Sequence, residues 1–172
     1  MTTSSVEIRL LTAADAAIFK AIRLHAIENA PTAIWPTRVE EEARSVSEVA
    51  GRIQSTPTQA VFGAFACDTL VGIAGVRRES LSQVSHKATI WGVFFAPSQR
   101  GKGIARDLLN TAMAHASKNW DSAQCNLCVN TENTAAKQLY ESMGFAAFGI
   151  EPRAMKVDGR FYDEQHMVLK LR

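Results

Sequence analysis

The sequence predicts an α/β fold, and three observations carry that expectation. One stretch, Thr89 to Leu109, reads in order as strand, glycine-rich turn and helix. Around it, short segments rich in β-branched and aromatic residues alternate with segments whose apolar residues recur every three or four positions. The 172 residues are 47% apolar and 21% charged, an ordinary balance for a soluble globular protein. They are enough chain for one domain, residues 1–172, with a substantial core.

The central stretch justifies itself residue by residue. Thr89 to Phe95 is β-branched and aromatic and favours a strand. Pro97 ends it, because proline cannot donate to a ladder. Gln99-Arg100-Gly101-Lys102-Gly103 then packs two glycines and two cations into five residues. From Ile104 the apolar residues Ile104, Leu108, Ala112 and Ala116 recur every fourth position, which predicts a helix to about Asn119. A helix N-terminus carries unpaired N–H groups and a partial positive charge, and glycines let an anion approach the backbone closely. The plainer reading is a basic turn capping a surface helix.

Three glycine patterns compete for this loop. A P-loop requires G-x-x-x-x-G-K-[ST], but Ala96 stands five residues before Gly101 and Gly103 follows Lys102. The dinucleotide pattern G-x-G-x-x-G meets Arg106 at its last position, with no βαβ unit ahead of it. The pattern [RQ]-x-x-G-x-[GA] is met by Arg100-Gly101-Lys102-Gly103-Ile104-Ala105. It resembles the acyl-CoA pyrophosphate loop of the GNAT N-acetyltransferase superfamily.

Elsewhere the chain alternates. Val6 to Leu11 reads as a strand, and Thr12 and Asp15 offer caps for a helix to about Asn29. Pro31 and Pro36 break the next stretch into a loop. Trp35 within it is read as a core anchor, with a substrate-pocket wall as the alternative. Glu40 to Ile53 predicts a second, acidic helix. Ala60–Ala66 and Leu70–Val76 predict a hairpin, and Ala123–Asn130 a further strand. Asn133 to Met143 predicts a short helix closed by Gly144. Phe145–Ile150 and His166–Leu171 predict the last strands, with a tight turn at Asp158-Gly159 between them. The segment 151–164 reads as a long hairpin, or as a pocket wall or dimer contact.

Several functions are disfavoured. A net charge of +2 is too small to argue for nucleic acid. No apolar run approaches the ~20 residues of a membrane span, and the first residues lack a signal-peptide core, so a cytoplasmic protein is expected. Cys125-x-x-Cys128 suggests a zinc or redox pair, but residues three apart on a strand point to opposite faces. The four histidines are scattered, so Cys67, Cys125 and Cys128 are read as structural thiols and no metal is expected.

A second motif follows the predicted fifth strand. Val129, Asn133, Ala136, Leu139, Tyr140, Gly144 and Phe145 meet every fixed position of V-x-x-x-N-x-x-A-x-x-L-Y-x-x-x-G-F, the pattern GNAT enzymes commonly carry there. The sequence thus resembles the GNAT superfamily from about Val6 to Leu171, specifically over Phe94 to Phe145. The resemblance implies a mixed, twisted, mostly antiparallel sheet of six to seven strands with helices on both faces. It also implies direct acetyl transfer from acetyl-CoA, as co-substrate, to a small-molecule amine or a protein amino group. The cofactor-binding residues would be Phe94, Phe95, Ala96, Arg100, Gly101, Lys102, Gly103, Ile104, Ala105, Arg106 and Asn133. The backbone of Phe94–Phe95 would serve the oxyanion where the fourth and fifth strands splay. Neither nucleic acid nor membrane is an expected partner, and a homodimer is allowed.

The resemblance makes Tyr140 the acid that protonates the departing thiolate. Asn133 and Tyr140 lie two helical turns apart, about 10 Å along the axis and on one face; their plainer roles are helix cap and core aromatic. A phenol near ~10 against a thiol near ~8.5 sets the proton ~1.5 units uphill unless the site lowers the phenol. The acceptor amine must lose a proton before it attacks, a handicap of about 4.6 kcal/mol for a lysine-like amine at pH 7. For the base the sequence offers His86, Glu79, Glu151 and His166, each with a surface or structural reading beside the catalytic one. A pocket lined by Trp35, Trp91 and Phe161 would suit an amino acid or an amine-bearing xenobiotic. The alternative function is a non-catalytic acyl-CoA-binding module on the same fold.

Overall fold

A computed structural model describes residues 6–99 and 101–172. Seven strands form one sheet in the order β1-β2-β3-β4-β5-β7-β6. They are β1 (Val6–Leu10), β2 (Gln59–Ala66), β3 (Thr69–Arg78), β4 (Lys87–Phe95), β5 (Gln124–Asn130), β6 (Ala146–Val157) and β7 (Arg160–Lys170). The helices are α1 (Ala16–Asn29), α2 (Arg38–Ala43), α3 (Val46–Ile53), α4 (Ile104–Trp120) and α5 (Thr134–Ser142). Every neighbouring pair of strands is antiparallel except β4–β5, which is parallel.

The sheet is covered on both faces. On one, Leu108, Leu109, Ala112 and Ala116 of α4 pack with Val76, Ala88, Ile90, Cys125 and Leu127. On the other, Phe19, Ile22 and Ala26 of α1 and Val49 and Ile53 of α3 pack with Val61, Phe65, Ile73 and Phe94. β2 and β3, covered on both sides, are buried along nearly their whole length. That burial accounts for their continuous apolar sequence.

Two features of β4 leave the sheet open beside it. Its ladder with β5 holds only three residue pairs, Lys87–Gln124, Ala88–Cys125 and Thr89–Asn126. Beyond Thr89 the two strands separate. Between Trp91 and Phe94, β4 also spends three steps where β3 spends two, from Gly75 to Ile73. This bulge centres on Gly92, whose φ of +62° suits glycine. The extra residue resets the alternation, so Trp91 and Phe94, three apart, share the α1 face. Gly75 makes room for the Trp91 ring: an added Cβ would sit 2.2 Å from it.

The region expected as one helix from Glu40 to Ile53 is two. Arg44 is extended, with ψ of 128°, and Ser45 restarts the helix by accepting from the Glu48 N–H at 3.2 Å while Glu48 returns a bond to the Ser45 N–H. This capping box ends one helix and begins another. The last two strands are longer than expected. The segment 151–164 does not separate them but is itself hairpin, closed by Asp158 and Gly159 at φ of +49° and +83°, the two-residue primed turn. The other strands and helices begin and end within about two residues of expectation.

Between α1 and α2 the chain is fixed by an ion pair. Arg23 Nε donates to Glu41 Oε1 at 2.8 Å and its Nη2 to Oε2 at 3.2 Å, both side chains buried. This bidentate pair closes the loop that carries Trp35. Glu41→Ala strands the guanidinium in the core and is expected to lower unfolding stability by about 3–5 kcal/mol in urea titration. Arg23→Met with Glu41→Leu should recover most of it. A Glu41→Ala variant within about 1 kcal/mol of wild type would show that water reaches the pair.

Candidate active site

The gap between β4 and β5 opens into a cavity of about 510 Å³. Ile90 to Phe95 form one wall and Leu127 to Asn130 the other. On the α4 face it meets Gly101, Gly103, Ile104, Ala105 and Arg106 of the glycine turn, and Asn133, Ala136, Leu139 and Tyr140 of the α5 segment. On the α1 face it meets Ala30, Thr32, Ala33 and Glu164. The cavity therefore passes through the plane of the sheet, with a glycine cradle at one end and a carboxylate at the other.

Gly101 and Gly103 hold φ of +76° and +79°, and beyond their chain neighbours no atom of the described residues lies within 4 Å of a Cβ built on either. The space beside them is open. Gly103 caps α4, whose first N–H groups face the cradle without an intrahelical partner. The residues present thus suit a phosphate group of the expected co-substrate.

The expected binding residues divide. Phe94, Phe95, Gly101, Gly103, Ile104, Ala105, Arg106 and Asn133 line the cavity. Ala96 does not, because its N–H donates to Val71 at 2.8 Å and extends the β3 ladder. Lys102 also stands outside, its Nζ donating to Gln99 Oε1 at 3.0 Å. Arg100 lies outside the described residues. The Arg106 guanidinium is engaged by Ser142 at the end of α5, at 2.7 Å to Oγ. Asn133 caps α5, accepting from the Ala136 N–H at 3.1 Å, and lines the cavity from that position.

Tyr140 is 6% exposed and packs edge-on against Phe145, with ring centroids 5.8 Å apart. Its hydroxyl has no hydrogen-bond partner among the described residues. Burial first, and then the neighbouring Cys128, raise its pKa above the usual phenol value. This is opposite to the lowering that would have eased proton release, so the phenol keeps its proton firmly.

The four candidate bases lie elsewhere. Glu79 and His86 are exposed ahead of β4, where the His86 carbonyl accepts from Ala123. Glu151 and His166 pair with each other at 3.0 Å. None of the four lines the cavity. The carboxylate that does is Glu164 on β7, 4% exposed. Sequence reasoning misses it, although its place two residues before His166 gives it the same strand face.

Trp35 is not a core anchor. It is 67% exposed, and its Nε1 donates to Glu164 Oε1 at 3.1 Å. Trp91 lines the cavity. Phe161 does not; it is 46% exposed on the hairpin, with Arg153 and Lys156 over its ring.

Cys125 and Cys128 face opposite sides of β5, as their spacing requires: Cys125 is in the α4-face core and Cys128 lines the cavity. Burial pushes both thiols up to about 12, and at Cys128 the neighbouring Glu164 carboxylate adds to the shift. Among the described residues no group of three or more His, Cys, Asp or Glu is placed to hold a metal, and no helix is long and apolar enough to cross a membrane. Thiols so rarely ionised react slowly. Both should resist iodoacetamide at pH 8 in the native protein, and mass spectrometry showing Cys128 alkylated within minutes would contradict the assigned environment.

Comparison with known proteins agrees with this arrangement. A model of the acetyltransferase (GNAT) domain matches residues 8–166. A spermidine N(1)-acetyltransferase of Vibrio cholerae is 31% identical over 84 residues, 49% of each chain. The N-alpha-acetyltransferase RimI of Mycobacterium tuberculosis is 31% identical over 105 residues, 61% of this chain and 63% of that one. The chain thus spans less than two thirds of these curated relatives. Among solved structures, yncA of Salmonella typhimurium with its cofactor acetyl-CoA superposes at a TM-score of 0.83, 22% identity, 97% of this chain and 94% of that one. A ribosomal-protein-alanine N-acetyltransferase of Brucella melitensis gives 0.79 at 28% identity, covering 96% and 99%. With a glycine cradle, a strand gap and a buried tyrosine assembled on this sheet, and the family model spanning nearly the whole chain, the protein belongs to the GNAT acetyltransferase family.

Proposed function

We propose that this protein transfers the acetyl group of acetyl-CoA to a primary amine by direct attack within a ternary complex. The observation that carries the reading is the continuity of the cavity through the β4–β5 gap, from the glycine cradle to the opposite face. Two substrates can enter from opposite sides and meet between the strands. The Vibrio and Brucella relatives are both named as N-acetyltransferases, which supports an amine acceptor.

Each part of the cavity has its own task in this reaction. The turn at Gly101–Gly103 and the start of α4 take the pyrophosphate on backbone N–H groups and the helix dipole. The pantetheine arm lies along the unpaired edge of β4, past Asn133 and Leu139. Backbone N–H groups of the Phe94–Phe95 segment face the thioester oxygen and take its developing charge. The acceptor nitrogen attacks the carbonyl carbon, the carbon–sulfur bond breaks, and the electron pair stays on sulfur. Tyr140 donates its O–H to that sulfur. Its raised pKa makes that transfer late: the proton is shared in a hydrogen bond until the carbon–sulfur bond is largely broken and the charge on sulfur has developed.

Gly103→Ala tests the cradle. Beyond its chain neighbours the methyl meets no atom of the described residues, so the free protein loses only the cost of a left-handed alanine, about 1–2 kcal/mol, while acetyl-CoA affinity by calorimetry should fall at least tenfold. Affinity within threefold of wild type would remove the cradle from the reading. Tyr140→Phe keeps the ring against Phe145 and removes the donor. Single-turnover acetyl transfer should fall by about 10²–10⁴ with acetyl-CoA affinity unchanged within threefold. An unchanged single-turnover rate would mean that water protonates the thiolate. Absence of thiol release across a panel of amines, with acetyl-CoA still bound, would favour a non-catalytic acyl-CoA-binding module.

A further inference from the structure

Glu164 is a carboxylate in an unusual position. It is 4% exposed, and among the described residues its side chain accepts a hydrogen bond from one neutral donor, the Trp35 indole at 3.1 Å, with the Cys128 thiol close by. Among the described residues no Lys, Arg or His pairs with it. Buried charges in proteins are normally paired, so the side chain is arranged to meet a cation that the chain itself does not supply. It lines the cavity on the α1 face, across the sheet from the glycine cradle.

We propose that Glu164, oriented by Trp35, is the anchor for the acceptor's amino group, and that the acceptor is a monocationic primary amine on an apolar or aromatic body. This rests on the acetyl-transfer reading and adds the acceptor class and the proton's destination. Charge count sets the single cation: Glu164 is the one carboxylate among the described lining residues, and the one guanidinium there, on Arg106, lies across the sheet at the glycine turn. A polyamine would leave its other ammonium groups unmatched, and an amino acid would bring a carboxylate for which no Lys or Arg stands among the described lining residues of the α1 face. The body's character follows from the wall, where Trp91, Phe94, Ala30 and Ala33 supply apolar surface beside the carboxylate.

Glu164 also completes the proton account. The amine arrives as ammonium, loses one proton to solvent and keeps an N–H directed at the carboxylate. As its lone pair forms the carbon–nitrogen bond, the nitrogen becomes cationic and strongly acidic. Glu164 takes that proton while the carbon–sulfur bond breaks and Tyr140 protonates the sulfur. Solvent then carries a proton from Glu164 back to Tyr140, and the products are the amide and free thiol.

The test uses binding, not turnover. Calorimetry of the protein saturated with CoA, at pH 7.5, compares 2-phenylethylamine, the neutral 2-phenylethanol and spermidine. Wild type should bind the amine at least tenfold tighter than the alcohol or spermidine. Glu164→Gln, whose amide oxygen still accepts from Trp35, should weaken the amine at least tenfold while leaving the alcohol and CoA within twofold. Glu164→Asp, which keeps the charge and withdraws it by one methylene, should fall between. The anchor is overturned if Glu164→Gln binds the amine within twofold of wild type, or weakens amine, alcohol and CoA alike. It is overturned also if wild type does not distinguish amine from alcohol, a comparison that needs no variant. Spermidine binding as tightly as the amine overturns the single-cation class. Amine binding lost in Glu164→Gln, with no thiol released from acetyl-CoA by wild type, would uphold the anchor and sink acetyl transfer instead.

Discussion

The site depends on the parallel ladder between β4 and β5 stopping after three residue pairs. A parallel neighbour would otherwise satisfy the free edge of β4 along its length, and the sheet would be closed. Because it stops, a stretch of strand edge lies open in the middle of a covered sheet, where backbone donors and acceptors are held rigidly yet lack partners. Such an edge invites an extended ligand to pair as a strand would. The bulge at Gly92 lies in this open stretch. A bulge bends its strand and raises the local twist, and here it also brings Trp91 and Phe94 to the same face. One glycine thus contributes to both the divergence of the strands and the aromatic wall beside the gap.

The two ends of the cavity are built differently. The cradle end is made from backbone, with two left-handed glycines and the first turn of a 17-residue helix packed along the sheet. That suits a phosphate, whose charge is spread over oxygens that accept from any N–H. The other end is made from side chains on a loop and a hairpin: Ala30, Thr32, Trp35 and Glu164. Loops vary without disturbing the core, so this end can be specific while the cradle stays generic. The buried Arg23–Glu41 pair keeps the loop from drifting, since neither partner can leave without stranding the other.

Between the two ends, three ionisable side chains line up through the sheet: Tyr140, Cys128 and Glu164. Burial holds the first two protonated. Both keep their protons at neutral pH, and Glu164 stands beside the thiol. In a region of low dielectric this avoids the repulsion that adjacent anions would suffer.

The sequence alone determined what is local. Val129 to Phe145 carries its motif within one strand–helix unit, and Gly101 and Gly103 sit where a turn must enter a left-handed conformation, so both were legible as pattern. So was the Asp158-Gly159 turn. The break at Arg44 was legible too, in the Ser45-x-x-Glu48 capping box, but the helical spacing of the residues around it spoke more loudly. What sequence could not yield are the contacts between residues far apart in the chain. Trp35 and Glu164 stand 129 positions apart, and nothing near either marks the other. Taken singly, a tryptophan suggests core and a glutamate on a polar hairpin suggests surface; here the tryptophan is exposed and the glutamate buried. The inversion arises because β7 lies beside β5 rather than at the edge, turning alternate residues of an otherwise polar strand into the cavity. Strand order is a property of the whole sheet, and it alone decides which face of a strand meets solvent.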